Sequence, residues 1–289
     1  MKNKKSVNNI LYEVKDNSIL VHNINSFDLA ETLDCGQSFR WTENQDKSFC
    51  GVAYGKMVRV SIDNDIFTIE GTTEEDFLSI WKNYFDLELD YLGIKESIGK
   101  IHPVLEEASG FAPGIRILQQ EPWEALCTFI ISQNNNIKRI KGIVHRLCTA
   151  FGDKIEGTDF YTFPTAERLS VLEPEDLAPL RAGFRNKYII DGARKVACGE
   201  VNLDFCRNSP YNEARAELCK IKGVGNKVAD CTLLFGLHRI EAFPLDVWMK
   251  RAMEKLFPDM TPDDFGEYAG IAQQYIFHYS RMNPDLFEE

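Results

Sequence analysis

The period of the hydrophobic pattern changes partway along the chain. In the first part, 38–42, 49–53, 57–62 and 66–70 are short β-rich runs. Turn signals at 43–47, 54–56 and 63–65 separate them, which predicts an antiparallel meander. Thr72-x-x-Glu75 then reads as a capping box. Phe77, Ile80, Trp81, Tyr84 and Phe85 follow at helical spacing, predicting a helix laid on that sheet. Residues 110–114 (GFAPG) read as a boundary, beyond which strand signals almost vanish. Helices are predicted over 122–132 and 137–151, broken at Asn134, Asn135 and Asn136. Further helices are predicted over 174–180, 187–198, 211–220, 226–237, 247–256 and 265–279. Gly152, Gly183 and Gly223 stand where helices should stop. The expected fold is α+β: a flexible tail at 1–8, a sheet domain with helices over 9–112, and a helical region over 113–289 with a helical hairpin at 218–237.

At 289 residues the chain holds one large or two modest domains, and 44% hydrophobic with 27% charged residues is ordinary for a globular protein. No apolar run reaches membrane-span length, so no membrane partner is expected. The N-terminus, MKNKKSVNN, is basic, but no apolar stretch follows it as a signal peptide would require. The net charge of −11 argues against nucleic-acid binding as a whole-chain property. It leaves room for a local basic face: Lys138, Arg139, Lys141, Arg146, Arg181, Arg185 and Lys187 cluster, while acids crowd 72–90 and 172–176. None of the eight cysteines forms a C-x-x-C pair, and they read as reduced core thiols of a cytosolic protein. No cysteine follows Cys231, which excludes a C-terminal four-cysteine iron–sulfur site. The five histidines show no metal spacing, so no metal site is expected.

The most informative stretch is LCKIKGVGNKVADCTLLFGLHRIEAFPLDVWMKR, from Leu218 to Arg251. Ile221-Lys222-Gly223-Val224-Gly225 can form the turn of a helix-hairpin-helix. Its glycines let backbone N–H groups approach a phosphate at the next helix's N-terminus. A plain αα-turn with a glycine cap accounts for the pentapeptide equally well. Lys227 falls in the first turn of the second helix, where the macrodipole disfavours a cation. The same positive end, and removal from water, favour the uncharged amine that a nucleophile must be. Lys222 is a rival, but it sits inside the hairpin, where a phosphate contact or solvent is expected. Asp246 can cap the helix that follows it and also stabilise positive charge on a sugar ring.

Gly-Val-Gly-x-Lys-Val-Ala-Asp-Cys followed by Pro-x-Asp-Val resembles the helix-hairpin-helix, Gly/Pro-Asp superfamily of DNA glycosylases. More narrowly, it resembles the 8-oxoguanine DNA glycosylases with lyase activity. The resemblance extends over nearly the whole chain, through Phe27-Asp28-Leu29, Cys35-Gly36-Gln37-Ser38-Phe39-Arg40-Trp41, Ser132-Gln133-Asn134-Asn135-Asn136-Ile137-x-Arg139-Ile140, Gly183-Phe184-Arg185-x-Lys187-Tyr188-Ile189 and Tyr268-Ala269-Gly270-x-Ala272-Gln273. It implies a TBP-like antiparallel sheet domain beside a helical catalytic region. Lys227 would be the nucleophile and Asp246 its carboxylate partner. Asn134 would fill the gap left in the base stack, with Asn135 holding the surroundings of the extruded nucleotide. Arg139 and Arg185 would contact the cytosine opposite the lesion, and Phe184 would be the wedge. Cys231 and Phe277 would sandwich the flipped base, Phe235 would line the pocket where a methionine is frequent, and Gln273 would read the Watson–Crick edge. The Gly36 carbonyl would accept from N7–H of the lesion and repel the N7 lone pair of guanine. Trp248 departs from the histidine frequent at its position, which puts a phosphate contact there in doubt.

The implied function is excision of 8-oxoguanine from duplex DNA, with strand nicking, by a monomer in a prokaryotic cytoplasm or a eukaryotic nucleus. No redox or metal cofactor is required, and an ion at the hairpin stays open. Two alternatives remain at this level. One is the same scaffold acting on another damaged purine, where a lysine at 227 is generally lacking. The other is a non-catalytic DNA-binding hairpin, which has no need of Lys227, Asp246, Gln273 and Phe277 together.

Overall fold

The structure, a computed structural model, describes residues 4–287. Seven strands form one antiparallel sheet: β1 (Lys4–Val7), β2 (Ile10–Lys15), β3 (Ser18–His22), β4 (Trp41–Glu43), β5 (Phe49–Ala53), β6 (Lys56–Asp63) and β7 (Ile66–Glu70). Their spatial order is β1-β2-β3-β7-β6-β5-β4. The last four make the predicted meander, in register through Trp41↔Gly51, Val52↔Met57 and Ile62↔Phe67. β4 starts later than expected, because residues 38–40 are drawn toward the helical body. Phe39 is buried in that body's core, and Arg40 pairs with the buried Glu124 at 3.0 Å.

The first three strands were not expected. Asn8 (φ 44°) and Asn9 (φ 68°) form the tight turn whose twist suits a hairpin, setting the register Val7↔Ile10. Lys4–Val7, expected in a flexible tail at 1–8, is therefore an edge strand; residues 1–3 lie outside the described residues. A second turn begins at Asp16 (φ 52°) and joins β2 to β3. β3 then pairs with β7 through Ile19↔Ile69, a contact between segments far apart in sequence.

After α1 (Leu29–Leu33), the helix expected on the sheet is present with a shifted start. Thr73, not Thr72, caps it, accepting from Asp76 N at 3.1 Å. α2 (Glu74–Asp76) passes through a π-turn, Phe77–Trp81, into α3 (Lys82–Tyr84). Phe77, Trp81, Tyr84 and Phe85 all face the sheet's core with Trp41, Phe67 and Ile69.

The rest is helical apart from an isolated Lys154–Tyr161 bridge among the described residues. It comprises α4 (Tyr91–Gly99), α5 (Pro103–Phe111), α6 (Pro122–Ser132), α7 (Ile137–Phe151), α8 (Ala166–Ser170), α9 (Arg185–Ala197), α10 (Leu203–Asn208), α11 (Tyr211–Leu218), α12 (Asn226–Leu237), α13 (Val247–Leu256) and α14 (Ala269–Met282). The stretch 174–180 is a 3-10 helix. The helix expected over 265–279 is two pieces, a 3-10 segment (Pro262–Tyr268) that Gly266 (φ 69°) kinks internally and then α14. α12 is buried from Val228 to Leu237 and packs on α6, where the Phe129 and Phe235 rings stack at 5.3 Å.

One buried side chain ties the sheet domain to this body. Gln37 donates to Thr32 O (2.9 Å) and Arg116 O (2.7 Å) and accepts from Leu118 N (2.9 Å), while its own carbonyl accepts from Gln120 Nε2 (2.7 Å). The turn at Gly36 is thereby held rigidly beside the helices.

Candidate active site

The hairpin joins α11 to α12. Ile221 and Val224 are buried, and Val224 N bonds Ile221 O at 3.0 Å, while Lys222, Gly223 and Gly225 are exposed. Gly223 has φ 79°, and a Cβ there would lie 2.3 Å from the Tyr188 ring, so only glycine fits. No side chain caps α12, whose first N–H groups lie beside this exposed turn. Behind the turn, Asp230 accepts from Tyr211 Oη (2.7 Å) and Arg215 Nε (2.8 Å), locking α11 to α12. Burial pushes that carboxyl up, while Tyr211 and Arg215 oppose the shift.

Lys227 is half-buried in the first turn of α12. Its Nζ lies 3.4 Å from Ser132 Oγ and 5.3 Å from the centre of the Phe129 ring. Asp246 caps α13, accepting from Met249 N at 2.8 Å. The amine and carboxylate line the same recess and, among the described residues, form no ion pair within 4.0 Å. Each is free to face a substrate placed between them. Burial pushes the Cys231 thiol, one helical turn past Lys227, up to about 11, so it is a neutral wall rather than a nucleophile.

The recess is walled by Gly36, Phe129, Cys231, Phe235, Pro244, Gln273, Gln274 and Phe277. Gln273 is buried and its Oε1 has no hydrogen-bond partner among the described residues. Gly36 has φ 96°. The recess is small, about 40 Å³. It opens into a cavity of about 430 Å³ that adds Ser132, Asn135, Asn136, Ile137, Trp248 and Arg281. A larger open hollow of about 510 Å³, over Arg194, Lys195 and Cys198, holds no comparable constellation.

The asparagine turn lies at the cavity's edge. Asn134 is exposed at φ 46°, Asn135 donates to Ile131 O (3.0 Å), and Asn136 caps α7 through Arg139 N (3.0 Å). Arg139 is exposed, but Arg185 is only 3% exposed. Its fork donates to Gln133 O, Asn134 O and Ala182 O, and its guanidinium lies 4.5 Å from the centre of the Phe184 ring. Expected to reach toward a cytosine, Arg185 here pins the turn that carries Asn134. Phe184 is 51% exposed and packs edge-on to Tyr188, the ring that seats Gly223. Trp248 sits at the cavity rim, with the Arg251 guanidinium 6.0 Å from its ring.

Sequence reasoning gave no site role to Ser132 and Pro244, which stand in its motifs, and missed Phe129, Gln274 and Arg281. Ser132 and Phe129 were findable: they stand three apart on α6, just ahead of the asparagines, on the face that meets Lys227.

Residues 19–126 match the family described as "8-oxoguanine DNA glycosylase, N-terminal domain", and residues 127–264 match "HhH-GPD superfamily base excision DNA repair protein". The "N-glycosylase/DNA lyase" of Saccharomyces cerevisiae is 34% identical over 255 residues, covering 78% of this chain and 67% of that protein. The solved structure of MBOgg1 with a low-affinity DNA ligand is 44% identical, with a TM-score of 0.91 over 95% of this chain and 99% of that one. The Clostridium acetobutylicum 8-oxoguanine glycosylase/lyase, bound to double-stranded DNA with cytosine opposite 8-oxoG, is 38% identical. Its TM-score is 0.90 over 94% of this chain and 98% of that one.

Gly223→Ala should destabilise the protein by about 2–4 kcal/mol, read as a lowered urea midpoint, because it meets both the left-handed backbone and the Tyr188 ring. An unchanged midpoint would contradict the geometry of the turn.

Proposed function

The chain belongs to the 8-oxoguanine DNA glycosylase family of the HhH-GPD superfamily, and on that premise we propose that it excises 8-oxoguanine from duplex DNA and nicks the strand. The observation that carries the reading is the shared recess. An amine and a carboxylate, not paired with each other, face the same space as a buried glutamine acceptor and a glycine in left-handed backbone.

The exposed Gly223–Gly225 turn and the uncapped start of α12 grip the phosphate backbone. The lesion nucleotide leaves the stack, with Phe184 and Asn134 at the gap, and its base enters between Cys231 and Phe277. The Gly36 carbonyl accepts from N7–H, and Gln273 reads the Watson–Crick edge. As the bond from C1′ to N9 breaks, its electron pair leaves with the base, which gains a proton. Asp246 stabilises the positive charge left on the sugar. The uncharged Lys227 amine bonds to C1′ and gives up one proton, which Asp246 is positioned to relay; the C1′–O4′ bond then breaks, its electron pair leaving on O4′, which takes up that proton, and a protonated imine remains at C1′. Loss of a C2′ proton then expels the 3′ phosphate by β-elimination.

Borohydride reduction during reaction with an 8-oxoguanine:cytosine duplex should trap a covalent protein–DNA adduct, and Lys227→Gln should abolish it. An undiminished adduct from that variant would place the nucleophile elsewhere. Arg139 is exposed beside the asparagine turn that Arg185 holds, so single-turnover excision should be fastest opposite cytosine. Equal rates opposite all four bases would remove that role.

A further inference from the structure

We propose that Arg281 is a specificity-determining residue, whose guanidinium donates a hydrogen bond to the C8 oxygen of the everted base. The inference rests on the reading above, in which N7 lies at Gly36 and the Watson–Crick edge at Gln273.

The order of residues from the inner recess outward carries the argument. Gln273 lines the inner recess, Gly36, Phe277, Lys227 and Asp246 line both spaces, and Arg281 lines only the outer cavity. A purine has the same order along that edge. Its Watson–Crick side lies farthest from the sugar, N7 lies between, and C8 adjoins N9, which carries the sugar. A base held at Gln273 and Gly36 therefore puts its C8 substituent next to Gly36 on the outer side. Arg281 occupies that position: its NH1 is 3.6 Å from where a Cβ on Gly36 would stand.

Arg281 also has a donor to give. NH1 is buried with no hydrogen-bond partner among the described residues, and NH2 makes one long contact, 3.4 Å, to Asp34 O. The Asp34 carboxylate is engaged by Lys141 at 2.7 Å. An N–H of the guanidinium that is shielded from water and left without a partner is costly and favours an incoming acceptor. Phe277, one turn earlier on α14, lies with its ring centre 6.0 Å from the Arg281 guanidinium.

The lesion's edge presents a donor, N7–H, beside an acceptor, the C8 oxygen. The protein presents the complement, the Gly36 carbonyl beside the Arg281 donor. Guanine offers a lone pair and a C–H at these positions and matches neither. Gly36 and Arg281 thus read both atoms that distinguish lesion from normal base.

Arg281→Met keeps the stem and removes the donors. Single-turnover rates on an 8-oxoguanine:cytosine duplex and on the same duplex carrying an abasic site separate the possibilities. Base excision should fall about 10- to 100-fold, the worth of one hydrogen bond to a charged donor, while abasic-site cleavage stays within about twofold. Arg281→Lys should recover part of the loss. A parallel fall on both duplexes would show that Arg281 serves the DNA backbone or the scaffold, and unchanged excision would show that it touches nothing that matters; either overturns the proposal. A wild-type protein that cleaves abasic sites but leaves 8-oxoguanine in place would instead defeat the function on which it rests.

Discussion

The site depends on how one helix is buried. α12 runs through the core, enclosed from Val228 to Leu237. Its first turn, however, emerges at the surface with no side-chain cap. Packing therefore fixes Lys227 along the helix axis, at the boundary between apolar interior and open cavity. Beneath it lie the Phe129 ring and Ser132 Oγ. Ahead of it the free N–H groups at the helix start, and the glycine turn, suit an anionic backbone. The same burial that stabilises the fold places an amine where it is sheltered yet accessible, without a local ion pair to hold it.

The sheet domain contributes less chemistry but sets the aim. Gln37 is hydrogen-bonded on every polar atom of its side chain, which fixes the Gly36 turn against the segment 116–120. Arg116 reinforces the joint: its fork bonds Ser26 O, Asp86 O and Asn25 O, and its guanidinium lies 4.7 Å from the centre of the Tyr91 ring. On the proposed reading, discrimination between two bases that differ at N7 and C8 needs a carbonyl held to within a fraction of an ångström. A buried, fully satisfied glutamine supplies that rigidity. On the opposite side, Tyr188 connects the hairpin turn to Phe184, and Arg185 connects Phe184 to the asparagine turn. The elements that would grip, wedge and fill are mechanically continuous.

Much of this was legible where local pattern and fold agree. α6, α7, α12 and α13, and strands β5 and β7, occupy the ranges that periodicity and turn residues predict. The Lys227 and Asp246 positions follow from motif spacing and meet in one recess. What was not legible depends on distant partners. β1 is exposed along most of its length and has no apolar alternation; its pairing follows from the Asn8-Asn9 turn, a signal present in the sequence but read as a tail. β3 is held between β2, across a tight turn, and the distant β7. Arg185 reads as a surface cation, yet it is buried because the carbonyls of Gln133 and Asn134, contributed by another segment, satisfy it. Arg281 stood outside every motif, and its meaning appears only when α14 is laid beside Gly36.

The central claim is that the recess over Lys227 receives an everted lesion base. Its most direct test is a crystal structure of the Lys227→Gln protein, which cannot complete the reaction, on an 8-oxoguanine:cytosine duplex. The account predicts the base out of the helix between Cys231 and Phe277, with N7 about 3 Å from the Gly36 carbonyl oxygen. A lesion still stacked in the duplex, or one everted elsewhere with the recess closed, would contradict it.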